Sequence, residues 1–302
     1  MAAERRLPDV AVRSRSLSRG LTVRAFVLPF ALVSGGLLVV PVALACYLAF
    51  TNVELIGPTA TSFNFTGLIN WDRLTADPLF IHSLFVTLIF VIVGTVILQT
   101  LLGGGIALLL ERGSPVMRPL VTSLAVVAWI IPEVVVAFIW YGLAQPSGVV
   151  DGLLRTSAAN YLISAPLAMV IAANLWHNIA FSLLVFSAGL RGLPQDLMDA
   201  ASIDGASYLS RLRHVVVPLL RATLGTNIIL SVLQSLSVFT LIYVLTQGGP
   251  ANATLTLPVY IYIEGFTNNA LGYATLIGVV LLVLGCVFGF FMVRNISKEI
   301  RP

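Results

Sequence analysis

Charge is what this sequence has least of. Its 302 residues carry 17 Lys and Arg and 13 Asp and Glu, so only 10% are charged while 58% are hydrophobic. A soluble domain of this size usually has about 25% charged residues. So few charges cannot cover a water-exposed surface, and lipid becomes the main solvent. Lysine is almost missing, and this excludes one chemistry outright. A phosphate-cradling P-loop needs a glycine-rich GxxxxGK[ST] run. The single lysine, Lys298, follows Ser297 and precedes Glu299. The chain therefore has no such loop. It also has no HExxH and no GxSxG, and His82, His177 and His214 lie far apart in sequence. Metal-ligand and nucleophile patterns rely on close spacing or on such motifs, so catalysis in this chain is not indicated. Cysteine is scarce too: Cys46 and Cys286 sit in apolar runs with no CxxC partner and read as small buried residues.

The net charge of +4 and pI near 9.3 do not point to nucleic acid. The basic residues lie between apolar runs rather than along one face. The mean hydropathy is +0.98, and a membrane helix needs about 20 mostly apolar residues. No Asp, Glu, Lys or Arg interrupts the chain between Arg24 and Glu54, which gives the first span. This segment is too long for a signal-peptide core and has no clear cleavage site after it, so it reads as an anchor. Further spans follow at about His82–Leu110, Arg118–Gln145, Pro166–Leu190, Ala222–Leu245 and Leu271–Val293. The expected class is all-α, a polytopic membrane protein with six transmembrane helices. Continuous helices are expected, because each unsatisfied backbone group in lipid costs several kcal/mol. Pro29, Pro41 and Pro132 should each kink a span.

Basic residues set the orientation. Arg5, Arg6, Arg13, Arg15, Arg19 and Arg24 precede the first span. Arg112 and Arg118 join the second and third; Arg191, Arg211, Arg213 and Arg221 join the fourth and fifth; Arg294, Lys298 and Arg301 end the chain. Only Arg73 and Arg155 fall on the other side. The positive-inside rule then places both termini in the cytoplasm. The expected organisation is a cytoplasmic segment 1–24, a first helix with its outer loop 25–81, a helical core 82–293 and a cytoplasmic tail 294–302.

The core contains one long cytoplasmic excursion, 191–221. Pro194 and Asp196 suit a helix start, Gly205 suits a left-handed end, and Ser207 suits the N-cap of a second helix. Tyr208, Leu212, Val215 and Leu219 would form its stripe. Two short helices broken at a glycine make a stiff elbow. Its wording is specific. Asp199-Ala200-Ala201, three residues, Gly205, nine residues, then Val215-Val216-Val217-Pro218 resembles the cytoplasmic signature of permease subunits of binding-protein-dependent ABC importers. That signature reads Glu-Ala-Ala, three residues, Gly, nine residues, Ile-x-Leu-Pro. The spacing matches, with Asp199, Val215 and Val217 as conservative departures. Gly67-Leu68-Ile69-Asn70-Trp71, Asp77-Pro78-Leu79-Phe80, the run Tyr243 to Pro250, and Thr254, Tyr260, Phe266 and Gly272-Tyr273-Ala274 resemble the carbohydrate-uptake branch, which includes glycerol-phosphate carriers. The Asn-Thr pair usual in that branch is replaced by Val86-Thr87.

The resemblance implies a type I importer permease in a bacterial cytoplasmic membrane. It would pair with a second homologous permease, two ATP-binding cassette subunits and an extracytoplasmic substrate-binding protein. It would bind no cofactor itself, with ATP and Mg on the partner ATPases, and no nucleic acid. The elbow residues Asp199, Ala200, Ala201, Ile203, Asp204, Gly205, Ala206 and Pro218 would then contact the ATPase.

Polar residues inside spans are candidates for the pathway. Glu133 could meet sugar hydroxyls, pair with a partner subunit, or sit in a polar helix contact. Asn174, Trp176 and His177 combine an aromatic with polar groups, as a sugar site does, although interhelical hydrogen bonding uses the same residues. Asn227, Ser231 and Gln234 recur on one helical face. Two rivals differ in kind. An ion-coupled carrier should show repeats and several buried ionisable groups, and here no repeat is evident and Glu133 is the only acid well inside an apolar run. A non-transporting scaffold would tolerate disruption of the Gly205 elbow.

Overall fold

The computed structural model describes residues 16–154 and 160–299. Arg5, Arg6, Arg13, Arg15, Arg155 and Arg301 lie outside them, as does most of segment 1–24. The chain divides into two units, residues 1–47 and 48–302. The first is helix α1 (Ser16–Leu48), which runs unbroken through Pro29 and Pro41. Its apolar part, Val27–Leu48, is 22 residues long, enough to cross a membrane.

The second unit is a helical bundle. Helix α2 (Ile69–Ala76) precedes α3 (Pro78–Glu111), whose middle is a wide π-helical stretch, Phe90–Gln99. Helices α4 (Met117–Ile130) and α5 (Glu133–Ala144) follow, and then α6 (Pro166–Arg191). The elbow comprises α7 (Gln195–Ile203) and α8 (Tyr208–Leu219). Helices α9 (Arg221–Leu236), α10 (Thr240–Thr246), α11 (Leu257–Tyr262) and α12 (Leu271–Glu299) complete it. Among the described residues four helices are each long and apolar enough to span a membrane, and the total reaches six when the bent pairs α4–α5 and α8–α9 count as one span each.

The α4–α5 bend departs from the expected continuous helices. Helices α4 and α5 meet at 103°. Pro132 has no N–H and forces its predecessor out of helical geometry, and both Ile131 (ψ 131°) and Pro132 (ψ 139°) are extended. The expected span 222–245 is also interrupted, with Ser237–Phe239 lying between α9 and α10. Non-helical backbone at membrane depth is tolerated where protein buries it or a cavity accepts it.

Helix α6 is the central post, packed against α3, α4, α5 and α9, while α12 packs on α9 and α11. Phe90, Val136, Val170, Leu241 and Ile277 are core residues of one cluster, and Ala107, Leu110, Leu183 and Phe186 form a second. The α3–α6 seam is tight because Gly103 has no side chain: a Cβ there would lie 2.5 Å from the Cβ of Ser182. Close backbone approach through small residues is the usual way membrane helices associate. Polar groups tie α3 to both α6 and α9. Gln99 Nε2 donates to Ser182 Oγ (3.1 Å), Ser231 Oγ (3.2 Å) and the Asn178 carbonyl (3.2 Å), and Thr95 meets Ser235 at 2.5 Å.

At the bundle end opposite the elbow, α2 and the loops on either side of it are fastened to the stretch from α11 to the start of α12. Arg73 pairs with the buried Glu264 at 2.6 Å and its guanidinium lies 3.9 Å from the Tyr273 ring centre. Asp77 accepts hydrogen bonds from the Tyr260 and Tyr273 hydroxyls and caps α3 through Leu79 N–H. Burial alone would raise the Asp77 pKa. The hydrogen bonds from Tyr260 and Tyr273 and the backbone bonds at Leu79 and Phe80 outweigh it and lower the value. The Gly67–Trp71 and Asp77–Phe80 stretches and Gly272-Tyr273-Ala274 thus meet here, with Gly272 N–H donating to Val53 O (2.9 Å).

Candidate functional site: a groove at two helix breaks and a projecting elbow

Both breaks border one open groove of about 550 Å³, lined by Trp129, Glu133, His177, Asn178, Gln234 and Ser237 with Leu230, Leu233 and Val238. Trp129 ends α4 and Glu133 begins α5, so the 103° bend puts an indole and a carboxylate at one opening. Glu133 sits in the first turn of α5, where the helix dipole favours a negative charge. The second break contributes Ser237 and Val238.

His177 links the groove to the first break. Its Nε2 lies 2.9 Å from the Ile131 carbonyl, the backbone oxygen next to Pro132. A carbonyl only accepts, so Nε2 carries the proton, and in the neutral ring Nδ1 is the bare acceptor. Nδ1 is buried with no hydrogen-bond partner among the described residues. The ring thus bonds the extended backbone at the bend while its Nδ1 has no partner among the described residues.

The candidates named from the sequence divide between two places. Glu133, His177 and Gln234 come together in the groove, from three different helices. Asn174, Asn227 and Ser231 are buried in helix seams. Asn174 Oδ1 accepts from Asn178 Nδ2 (3.0 Å), Asn227 Nδ2 donates to Thr100 Oγ1 (3.3 Å), and Ser231 receives Gln99. Trp176 is 38% exposed and does not line the groove. Trp129 has no polar neighbour next to it in the sequence, and the signal that could have found it is its spacing, four residues before Glu133, which puts the two on one face even of a straight helix.

The elbow forms from its local chemistry. Pro194 caps α7, and Asp196 lies in the first turn. Gly205 adopts φ +73° after the helix ends, and Ala206 N–H returns to the Ala201 carbonyl at 3.1 Å. Ser207 Oγ then accepts from Ser210 N–H (3.3 Å) and caps α8. The buried side of α8 differs from the expected stripe. Val216 and Leu220 are buried while Leu219 is exposed, because Leu212–Val216 form a π turn whose extra residue shifts the register. Asp199, Ala200, Asp204 and Gly205 are exposed, Ala201, Ala206 and Pro218 partly so. Ile203, the last residue of α7, is 86% exposed, an apolar side chain left uncovered.

Among the described residues no group of three or more His, Cys, Asp or Glu could hold a metal ion. Comparison with known proteins agrees with the architecture. Residues 99–302 match the family described as binding-protein-dependent transport system inner membrane component. The chain is 31% identical over 274 residues to the sn-glycerol-3-phosphate transport system permease protein UgpA of Agrobacterium fabrum, covering 86% of this chain and 89% of that one. It is 34% identical over 249 residues to the trehalose/maltose transport system permease protein MalF of Thermococcus litoralis, covering 78% and 81%. In fold it is similar to a chain of a bacterial alginate ABC transporter in complex with alginate pentasaccharide-bound periplasmic protein, with a TM-score of 0.74, 19% identity and coverage of 95% and 97%.

Proposed function

The chain belongs to the binding-protein-dependent transport system inner membrane component family, and on that premise we propose that it is the permease subunit of an ATP-driven carbohydrate importer. It spans the bacterial cytoplasmic membrane with both termini inside. A second permease faces it across the pathway, an extracytoplasmic binding protein delivers the ligand, and two separate ATPase subunits receive the elbow. Its relatives named for trehalose/maltose and for sn-glycerol 3-phosphate support this class of cargo.

The observation that carries the reading is the joint position of the two helix breaks on one polar groove. Trp129 offers an apolar face, and Glu133, His177, Asn178, Gln234 and Ser237 offer donors and acceptors. A sugar needs that combination. Among the described residues neither arginine nor lysine lines the groove, whereas a phosphate calls for charge-assisted donors. This supports a neutral sugar over a polyol phosphate.

The elbow would couple this groove to the ATPases. Ile203 projects with Ala200 and Ala201 behind it, small enough for a partner surface to approach closely, and Asp199 and Asp204 supply charge. Closure of the ATPases would push the elbow as a rigid body and tilt α9.

The test is reconstitution of the chain in liposomes with its partner permease, ATPase and binding protein. ATP hydrolysis is measured with trehalose, maltose, other neutral sugars and sn-glycerol 3-phosphate. A loaded binding protein should stimulate hydrolysis. Gly205→Pro and Asp199→Arg should assemble but lose the stimulation, and Glu133→Gln and Gln234→Ala should lower uptake of the active sugar. If the chain recruits no ATPase and does not change its turnover, the importer reading fails.

A further inference from the structure

A second cavity lies at the root of the elbow, about 330 Å³ in volume. Its walls come from the last turn of α3, the last turn of α6, and both elbow helices. Three arginines line it: Arg112, Arg191 and Arg211. One acid, Glu111, also lines it, and that carboxylate is already engaged by Arg118 at 2.5 Å. The remaining walls include Leu108, Leu190, Met198 and Val216.

Helix dipoles explain part of this. Arg112 follows the end of α3 and Arg191 closes α6, where cations complement the free carbonyls. Arg211 is different. Its Nη1 donates to Ser202 Oγ at 2.5 Å, but its Nε is buried and has no hydrogen-bond partner among the described residues. A buried charged donor left unmade is costly. Arg112 has an aromatic partner instead of an acid, its guanidinium carbon lying 3.2 Å from the Tyr208 ring centre. That contact orients the planar group and leaves it without an acidic partner among the described residues.

We propose that this cleft binds a phosphate group, monoester or diester, which joins Arg211 of the elbow to Arg112 and Arg191 of the helix ends. Guanidinium forks match phosphate oxygens in geometry as well as charge. The group has two sources, an anionic lipid headgroup or a soluble phosphate, and the apolar walls accept the attached chain in either case. Bound there, it stiffens the elbow against the bundle. The inference goes beyond the transport reading and holds whatever crosses the membrane.

The experiment uses the purified full chain. Phosphatidylglycerol retention is read by native mass spectrometry against phosphatidylcholine, and the thermal midpoint is read with inorganic phosphate against chloride at matched ionic strength. The variants are Arg191→Gln with Arg211→Gln, the milder Arg211→Lys, and Arg294→Gln as a control for a basic residue outside the cleft; size exclusion confirms that each folds. Retention, a phosphate-dependent midpoint shift, or both should appear in the wild type. Either should weaken about tenfold in the double variant, weaken less in Arg211→Lys, and stay unchanged in Arg294→Gln. Retention without a phosphate shift assigns the site to the lipid headgroup, and the reverse assigns it to soluble phosphate. The proposal is overturned if neither probe binds, if the double variant binds as well as wild type, or if Arg294→Gln loses as much. The cleft would then be a basic surface awaiting a partner's carboxylate or merely a cap for helix dipoles.

Discussion

Replacing His177 tests the physical account of the first break. In the wild-type structure Nε2 donates to the Ile131 carbonyl at 2.9 Å, at a point where Pro132 has removed a backbone donor. Phenylalanine keeps the ring volume and deletes that donor. The carbonyl is then left unpaired beside a buried side chain, which costs about 1–3 kcal/mol. At about 2–4 °C per kcal/mol for a chain of 150–250 residues, His177→Phe should lower the thermal midpoint by several degrees. Glutamine places an amide N–H close to the Nε2 position and should keep most of the stability. Asparagine reaches only as far as Nδ1 and should behave like phenylalanine. The assay is thermal unfolding in detergent, followed by ATPase stimulation of the reconstituted complex. If His177→Gln is stable but impaired in stimulation, the unused Nδ1 acceptor has a role in the pathway that the amide does not supply. If His177→Phe melts with the wild type, the imidazole does not hold the bend and the argument fails.

Substitutions at three other positions follow from the geometry. At Gly205 (φ +73°) an added Cβ meets nothing within 4 Å, so the cost is purely backbone. Gly205→Ala should destabilise the elbow by about 1–2 kcal/mol and Gly205→Asn by less, read as graded losses of stimulated ATP hydrolysis; equal activity in all three proteins would contradict the left-handed cap. Gly103→Ala puts a Cβ 2.5 Å from that of Ser182, forcing α3 and α6 apart at about 1–3 kcal/mol, and an unchanged melting temperature would show the seam to be looser than described. Asp77 has its pKa lowered below the ordinary 3.8, so its contribution is complete above that value and is lost as pH falls through the lower, folded one. Acid titration of stability should show this loss in wild type, and Asp77→Asn should be less stable near neutrality and flatter across the acid range.

The elbow was legible because each of its parts obeys a local rule. A proline start, a glycine with positive φ and a serine cap act within a few residues, and the structure has all three at Pro194, Gly205 and Ser207. The stripe on α8 was misread by one position because a π turn is not visible in a 3.6-residue period. Hydropathy located the membrane segments but could not see their bends, since a window average is indifferent to direction. Pro132 signalled a kink and not its 103° size. The break at Ser237–Phe239 contains no glycine or proline and gave no signal at all. The groove was only half visible for the same reason: its members come from separate helices, and tertiary packing alone selects Gln234 for it while sending Asn227 and Ser231 into the seam.

The two proposed sites are joined by one piece of chain. Helix α8 of the elbow meets α9 at Leu220 with a 65° bend, and α9 runs 16 residues to Leu236. At 1.5 Å per residue that is about 24 Å of straight helix. Its far end places Leu233, Gln234 and Ser237 in the groove. Along its length it is gripped by Gln99 at Ser231, Thr95 at Ser235 and Thr100 at Asn227. Three interhelical polar contacts from α3 on one side resist sliding but allow a tilt about that side. A push on the elbow would therefore reach the groove as a rotation of α9, with the non-helical joint at Ser237–Phe239 absorbing the remainder. Polar residues in this seam then have a mechanical part that does not require them to touch cargo. Ser231→Ala or Thr95→Val should leave sugar selectivity intact and change the ratio of transport to ATP hydrolysis. A change in which sugar is accepted, at constant ratio, would instead place the seam in the pathway.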